Sequence, residues 1–207
     1  MSGTPLEPTV FVVDDDRMAR DSVCALVRSL GMRAQSFASG EEFLAQYTPD
    51  LPGCLVTDVR MLGMSGVELQ QRLNEDGVTL PVIVLTAFAR TSLTVKVMQQ
   101  GAVTLLEKPY EEDDLWDAIR KALAEDAQTR QDLGWLQELQ RRLGTLTAKE
   151  RDVLDGIVAG KANKVIARDL DVSIRTVENR RRDIFTKMQA DSVAELVRLI
   201  IQAGPTR

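Results

Sequence analysis

Apolar runs and segments of helical period alternate through the first half of the chain. Thr9-Val10-Phe11-Val12-Val13 is a short β-rich run, and a segment of 3.6-residue period follows from Met18 to Leu30. Gly31 then stands where a helix C′ residue belongs. The alternation recurs: residues 53–57 and a helix from Ser65, residues 81–86 and a helix through Val95–Gln100, residues 102–107 and a helix from Glu111. Residues 33–37 form a weaker strand. Ser39-x-x-Glu42 and Ser65-x-x-Glu68 have the spacing of capping boxes. Uninterrupted apolar strands between helices predict a parallel sheet covered on both faces. Five such units in about 120 residues predict an α/β doubly wound, five-stranded parallel sheet of the flavodoxin-like kind.

The pattern then changes. From Glu111 to Leu143 the chain stays helix-prone, and Leu136, Leu139, Leu143 and Leu146 fall at 3-4-3 spacing as a short apolar seam that Gly134 interrupts. That seam fits a linker helix packed on the chain's own domains, and it also fits a short coiled coil between two copies. After Gly144 the strand signals stop. Thr147-x-x-Glu150 and Ser192-x-x-Glu195 each open a helix. Between them lie helical stretches near Asn163–Leu170 and Ile174–Met188, joined by a short polar turn at Asp171-Val172-Ser173. Two helices across so short a turn predict a helix-turn-helix within a small all-α, four-helix domain.

Length and charge agree with two domains. The 207 residues fit one medium and one small domain. The net charge of −5 hides a split: residues 1–127 carry 11 Lys and Arg against 20 Asp and Glu, while residues 128–207 carry 15 against 11. Such asymmetry is expected when only the second part meets nucleic acid. There is no histidine, which removes Ser-His-Asp and Cys-His catalysis and most zinc sites. Cys24 and Cys54 lie in apolar surroundings and read as small core residues of a reducing cytosol. The start MSGTPLEP shows no signal-peptide pattern, and no run approaches a membrane span, so a cytoplasmic protein without membrane contact is expected.

The candidate chemistry sits at strand ends. Asp14, Asp15 and Asp16 follow the first strand, and Asp58 follows the third. In a doubly wound sheet those ends face one crevice. Clustered carboxylates repel and call for a cation, and hard oxygen ligands suit Mg²⁺. Thr86 ends the fourth strand and Lys108 follows the fifth. A carboxylate nucleophile, a divalent cation, a hydroxyl and an ammonium together suit phosphoryl transfer.

VVDDD, LVTDVRMLGMSGVEL, VIVLTA and LLEKP make residues 8–124 resemble a receiver domain of the two-component family. The resemblance implies that Asp58 is the phosphoacceptor, that Asp15 and Asp58 ligate Mg²⁺ directly and Asp14 through water, and that the Arg60 carbonyl completes the protein's share. It implies that Thr86 and Lys108 contact the phosphoryl oxygens, that the Lys108-Pro109 bond is cis, and that Thr86 and Leu105 occupy the switch positions. Two positions depart from the family's usual residue, and a third is one that the family uses for tuning. Leu62 stands where the family usually has proline, Leu105 where it has Tyr or Phe, and Phe88 where relatives tune attack of water on the acyl phosphate.

The stretch from Ser173 to Met188 carries Arg175, Arg180, Arg181, Arg182 and Lys187 against Glu178 and Asp183. Ile174, Val177, Ile184 and Met188 fall on one stripe, expected to be buried. Glu178, Asn179 and Arg182 fall opposite, able to reach base edges in the major groove. Lys161, Lys164 and Arg180 are better placed for phosphates. NKVIARDL and SIRTVENRRRDIFTKM resemble the scaffold and recognition helices of a LuxR-type DNA-binding domain. Receiver, linker and this domain in that order resemble the NarL/FixJ subfamily.

The resemblance implies a receiver over residues 1–124, a helical linker over 125–144 and the DNA-binding domain over 145–207. It implies a response regulator transcription factor phosphorylated by a sensor histidine kinase. Phosphorylation would control homodimerisation and binding to paired half-sites in double-stranded DNA, with RNA polymerase a further partner. Its only enzymatic activity would be its own phosphoryl transfer and autodephosphorylation. Two rivals remain at this point. Asp14-x-Asp16 is similar to the motif of haloacid-dehalogenase-type phosphatases, although Met18 fills the slot those enzymes give to Thr or Val. The other rival is a phosphorylation-independent DNA-binding protein with a degenerate receiver.

Overall fold

The computed structural model describes residues 7–49, 51–89 and 91–204; the reading of MSGTPL as lacking a signal lies outside them. The chain divides into two compact units, residues 1–130 and 131–207.

The first unit contains β1 (Thr9–Val13), α1 (Arg17–Ser29), β2 (Arg33–Phe37), α2 (Gly40–Gln46), β3 (Gly53–Asp58), α3 (Gly66–Glu75), β4 (Val82–Thr86), α4 (Thr91–Gln99) and β5 (Thr104–Glu107). It also contains the start of α5 (Glu112–Gly144). The sheet is parallel with strand order β2-β1-β3-β4-β5. Alternate residues of each strand enter opposite layers, which is why the strands read as unbroken apolar runs. Val10 and Val12 pack with Val23, Val27, Leu115 and Ile119 of α1 and α5. Phe11 and Val13 pack with Phe37, Phe43, Leu69 and Leu73 on the other face. Cys24 and Cys54 are buried, free thiols.

The helix signals hold with adjustments. Asp16 caps α1, accepting from the Met18 N–H, and Gly31 follows the helix with φ +76°. Ser65/Glu68 and Thr147/Glu150 form complete capping boxes. In the other two pairs the glutamate reaches one residue further back. Glu42 accepts from the Ala38 N–H and Glu195 from the Asp191 N–H. α4 spans Thr91–Gln99 and so contains the helical stretch expected through Val95, beginning a turn earlier with Leu93 packed on the core. α5 runs through Gly134 without a break. An interior glycine costs only about 1 kcal/mol against alanine.

The second unit holds the end of α5, α6 (Ala148–Val158), α7 (Asn163–Asp169), α8 (Ile174–Met188) and α9 (Val193–Ala203). Leu139, Leu143 and Leu146 are buried with Val153, Ile157, Ile166, Val177, Ile184, Met188 and Leu196. Three of the four seam leucines are therefore consumed in the unit's own core, as the linker-helix alternative requires, while Leu136 is half-buried outside that cluster. Ile174 departs from expectation. It opens α8 and is 45% exposed, because the buried stripe starts one turn later at Val177.

One buried polar group sits at the end of the sheet away from Asp58. Asp126 of α5 accepts the Gly53 N–H at 2.9 Å and the Arg130 Nε at 2.9 Å. Arg130 in turn donates to the carbonyls of Leu51 (2.6 Å) and Pro49 (3.1 Å). A side chain at residue 53 would collide with the Thr9 carbonyl, which restricts this position to glycine. Removing one partner of a buried pair is costly. Asp126→Ala is expected to lower the stability of the first unit by about 3 kcal/mol, and Asp126→Asn, which keeps an acceptor, by clearly less. Urea unfolding followed through Trp116 fluorescence in a Trp135→Phe background reads the difference; equal tolerance of both changes would remove the pair from the list of stabilising contacts.

Candidate functional site

Strand register brings the acids together. Val13 of β1 pairs with Thr57 of β3, so Asp14 and Asp58 leave neighbouring strands side by side. Thr86 pairs with Glu107, and the Lys108 N–H donates to the Thr86 carbonyl at 2.7 Å, which sets Lys108 beside them. Gly66, which follows the cap of α3, packs so closely on the Asp58 carbonyl that any Cβ there would clash.

The Lys108 ammonium bridges the two buried acids. It donates to Asp58 Oδ1 at 2.6 Å and to Asp14 Oδ2 at 3.1 Å. The Lys108-Pro109 bond is cis. Asp58 Oδ2 accepts the Arg60 N–H at 2.6 Å, and Asp14 Oδ1 accepts the Asp16 N–H at 2.9 Å. Arg20 Nη1 donates to the Asp14 carbonyl at 2.6 Å. Asp15 is exposed and accepts the Leu62 N–H at 2.9 Å. Burial pushes the Asp14 carboxyl above its ordinary value even though Lys108 pulls it down. Burial opposes the charge on Lys108, but the Asp58 hydrogen bond and the charges of Asp14 and Asp58 outweigh it and raise its pKa.

Two buried carboxylates thus face one ammonium, with the exposed Asp15 turned to the Leu62 N–H. Among the described residues no three acidic, His or Cys side chains converge on a single point. The oxygens of Asp14, Asp15 and Asp58 are directed instead at backbone N–H groups and Lys108. Their chemistry, hard anionic oxygen at the mouth of a crevice, suits Mg²⁺ and no softer metal.

Thr86 is buried, and its hydroxyl both donates to the Phe88 carbonyl and accepts the Phe88 N–H, each at 3.2 Å. Glu107 accepts the Ala89 N–H at 3.1 Å, so the loop after β4 is held from two strands. Phe88 is exposed and lies 5.7 Å from the Arg60 guanidinium. Leu105 is half-buried against the α2–α4 layer. Sequence reasoning missed Glu107 and Arg20, whose partners are backbone groups with no residue signature.

In the second unit α7 and α8 make the helix-turn-helix, with Asp171 left-handed at φ 50° in the turn and Ser173 capping α8. Val177, Ile184 and Met188 are buried. Arg175, Glu178, Asn179 and Arg182 are exposed, and Arg180 is half-buried at the flank. Lys164 is exposed, whereas Lys161 is paired with Asp169 at 2.8 Å.

A flavodoxin-like unit with an acidic, lysine-bearing crevice, carried with a helix-turn-helix unit, defines a phosphorylation-type regulator that binds DNA. Residues 10–120 match the response regulator receiver domain, and residues 144–200 match the luxR family of bacterial regulatory proteins. The transcriptional regulatory protein FixJ of Bradyrhizobium diazoefficiens is 38% identical over 195 residues, covering 94% of this chain and 95% of that protein. FixJ of Rhizobium meliloti is 40% identical over 197 residues, covering 95% and 96%. The solved structure of the response regulator StyR matches with a TM-score of 0.86 at 39% identity, over 95% of this chain and 99% of that one. The chain belongs to the NarL/FixJ-type response regulators: it is a FixJ-like transcriptional regulator with a receiver and a LuxR-type DNA-binding domain. That family consists of transcription regulators and not of classical enzymes.

The Leu62 N–H is a donor that proline lacks. Leu62→Pro removes the partner of the Asp15 carboxylate, and Leu62→Ala keeps it. A hydrogen bond to a charged group contributes about 1.5–3 kcal/mol, part of which a competing cation must overcome. Leu62→Pro is expected to tighten Mn²⁺ binding by about three- to tenfold and Leu62→Ala to leave it unchanged, as read by titration with electron paramagnetic resonance.

Proposed function

We propose that Asp58 is the phosphoacceptor of this regulator and that a sensor histidine kinase is the donor. The carrying observation is the Lys108 ammonium, 2.6 Å from Asp58 Oδ1 and 3.1 Å from Asp14 Oδ2, where β1 and β3 end side by side. Asp58 Oδ1 attacks the phosphorus of the kinase phosphohistidine; the P–N bond breaks and the imidazole leaves with the electron pair. Lys108 then follows the charge onto the phosphoryl oxygens. Asp14, Asp15, Asp58 and the Arg60 carbonyl would hold Mg²⁺, which supplies charge neutralisation of the phosphoryl group. The protein's own role is to position the acceptor and neutralise charge, and the slower loss of the phosphoryl group to water uses the same groups.

The aspartyl phosphate adds about one to two negative charges. Thr86 is the group that reads them: to reach a phosphoryl oxygen its hydroxyl must leave Phe88, which releases the loop after β4. Leu105 borders that path. The domains are a receiver over residues 1–124, a linker over 125–144 and a DNA-binding domain over 145–207. Arg175, Glu178, Asn179 and Arg182 face the major groove, while Lys161, Lys164 and Arg180 meet phosphates. Phosphorylation-dependent homodimers on paired half-sites, contact with RNA polymerase and a cytoplasmic location complete the proposal. Among the described residues no helix is long and apolar enough to cross a membrane.

Acetyl phosphate with Mg²⁺ is expected to add one phosphoryl group to the chain and none to Asp58→Asn, by intact-mass spectrometry. Full labelling of the variant would refute the assignment. In the recognition helix, Arg182→Ala is expected to cost about 1–3 kcal/mol on a selected site and to flatten discrimination against scrambled DNA. Arg180→Ala is expected to weaken both DNAs alike and to lower the salt slope by about one unit. Binding isotherms across a salt series separate the two.

A further inference from the structure

Five cations lie on α8, but one of them is not offered to DNA. Lys187, in the last turn, is half-buried, and its ammonium donates to Glu150 at 2.8 Å (Oε1) and 2.7 Å (Oε2). It also reaches the Thr145 carbonyl at 3.3 Å. Glu150 lies on α6 and is buried. Its Oε2 also accepts the Thr147 N–H at 2.7 Å and the Thr147 hydroxyl at 2.9 Å, closing the capping box of α6. One carboxylate therefore does two jobs: it caps the first turn of α6, and it holds the far end of α8.

The leverage is geometric. Asn179, eight residues before Lys187 on α8, is about 12 Å from it along the axis at 1.5 Å per residue. A tilt of about ten degrees at the pinned end displaces Asn179 by about 2 Å. Hydrogen bonds to base edges do not survive such a shift, because they weaken steeply away from 2.7–3.2 Å. Contacts to phosphates tolerate it, since lysine and arginine stems are long and re-aim. The buried stripe of Val177, Ile184 and Met188 sets which face of α8 is presented but leaves sliding and tilt to weaker, non-directional packing.

We propose that the Glu150–Lys187 bridge is a positioning device for the recognition helix, so that Lys187 governs which sequence is read without touching DNA. This rests on the assignment of α8 as the reading helix. The alternative for a lysine on a recognition helix is an ordinary phosphate contact, and the two roles leave opposite signatures. A phosphate contact contributes to the counterion release that sets the salt slope and is blind to sequence. A positioning residue leaves the slope alone and changes discrimination.

The experiment uses the full-length phosphorylated chain. Binding to a selected site and to scrambled DNA is measured across a salt series for Lys187→Met, Lys187→Arg and Glu150→Gln. Lys187→Met keeps the apolar stem, and Glu150→Gln keeps an oxygen for the cap of α6 while losing the charge. Expected for both is a loss of about tenfold on the selected site, binding to scrambled DNA within about twofold of the parent, and an unchanged salt slope. Lys187→Arg restores discrimination. A slope lower by about one unit on both DNAs for Lys187→Met overturns the proposal in favour of a phosphate contact. Undiminished discrimination in Glu150→Gln overturns it as well. Failure of the parent chain to prefer any sequence would instead remove the reading role of α8, a result distinct from either.

Discussion

The first unit is organised around one unfavourable fact: Asp14 and Asp58 are buried side by side and both are acids. Strand order β2-β1-β3-β4-β5 makes that neighbourhood unavoidable, because β1 and β3 are adjacent and parallel and end at the same edge. Repulsion at that edge is met by Lys108, delivered from beyond β5, and by backbone N–H groups of the loops after β1 and β3. The arrangement leaves more negative than positive charge. A site so composed favours a cation, because positive charge completes a balance that the fold has left open.

Tension of the same kind reaches the loop after β4. Thr86 is buried with its hydroxyl bonded to Phe88, and Glu107, next to Lys108 in sequence, holds Ala89. Adjacent residues therefore connect to the acidic pair and to the loop. Asp58 is thus tied directly to Lys108, and the Lys108 backbone is tied to Thr86 at the start of that loop, so the connection has few intermediates.

The second unit solves a different problem. It presents cations on α8 while keeping the helix amphipathic, and it does so by separating roles along one element. Val177, Ile184 and Met188 are buried, Arg175, Asn179 and Arg182 are exposed, and Lys187 is withdrawn into Glu150. Counting charge on the helix overstates the positive charge it leaves unpaired within the unit, because Lys187 is neutralised by Glu150.

The pattern of apolar and polar positions alone determined the five strands, the doubly wound class, the helix-turn-helix and the identity of the acidic set. These follow from periodicity and from the rule that parallel strand ends share a crevice, both of which are local or topological. Tertiary structure alone decided who partners whom. The leucines of α5 fit a coiled coil or a core equally well by spacing, and only the packing of Leu139, Leu143 and Leu146 with α6, α8 and α9 decides for the core. Asp126 and Glu150 look like surface acids of helical segments until Gly53 and Lys187 arrive from 73 and 37 residues away. Ile174 fits the apolar stripe by number yet lies exposed, because a helix's first turn projects beyond the surface it packs on. Sequence records which side chains can be buried or charged. Which buried charge meets which donor depends on distances across the fold, and those have no period to read.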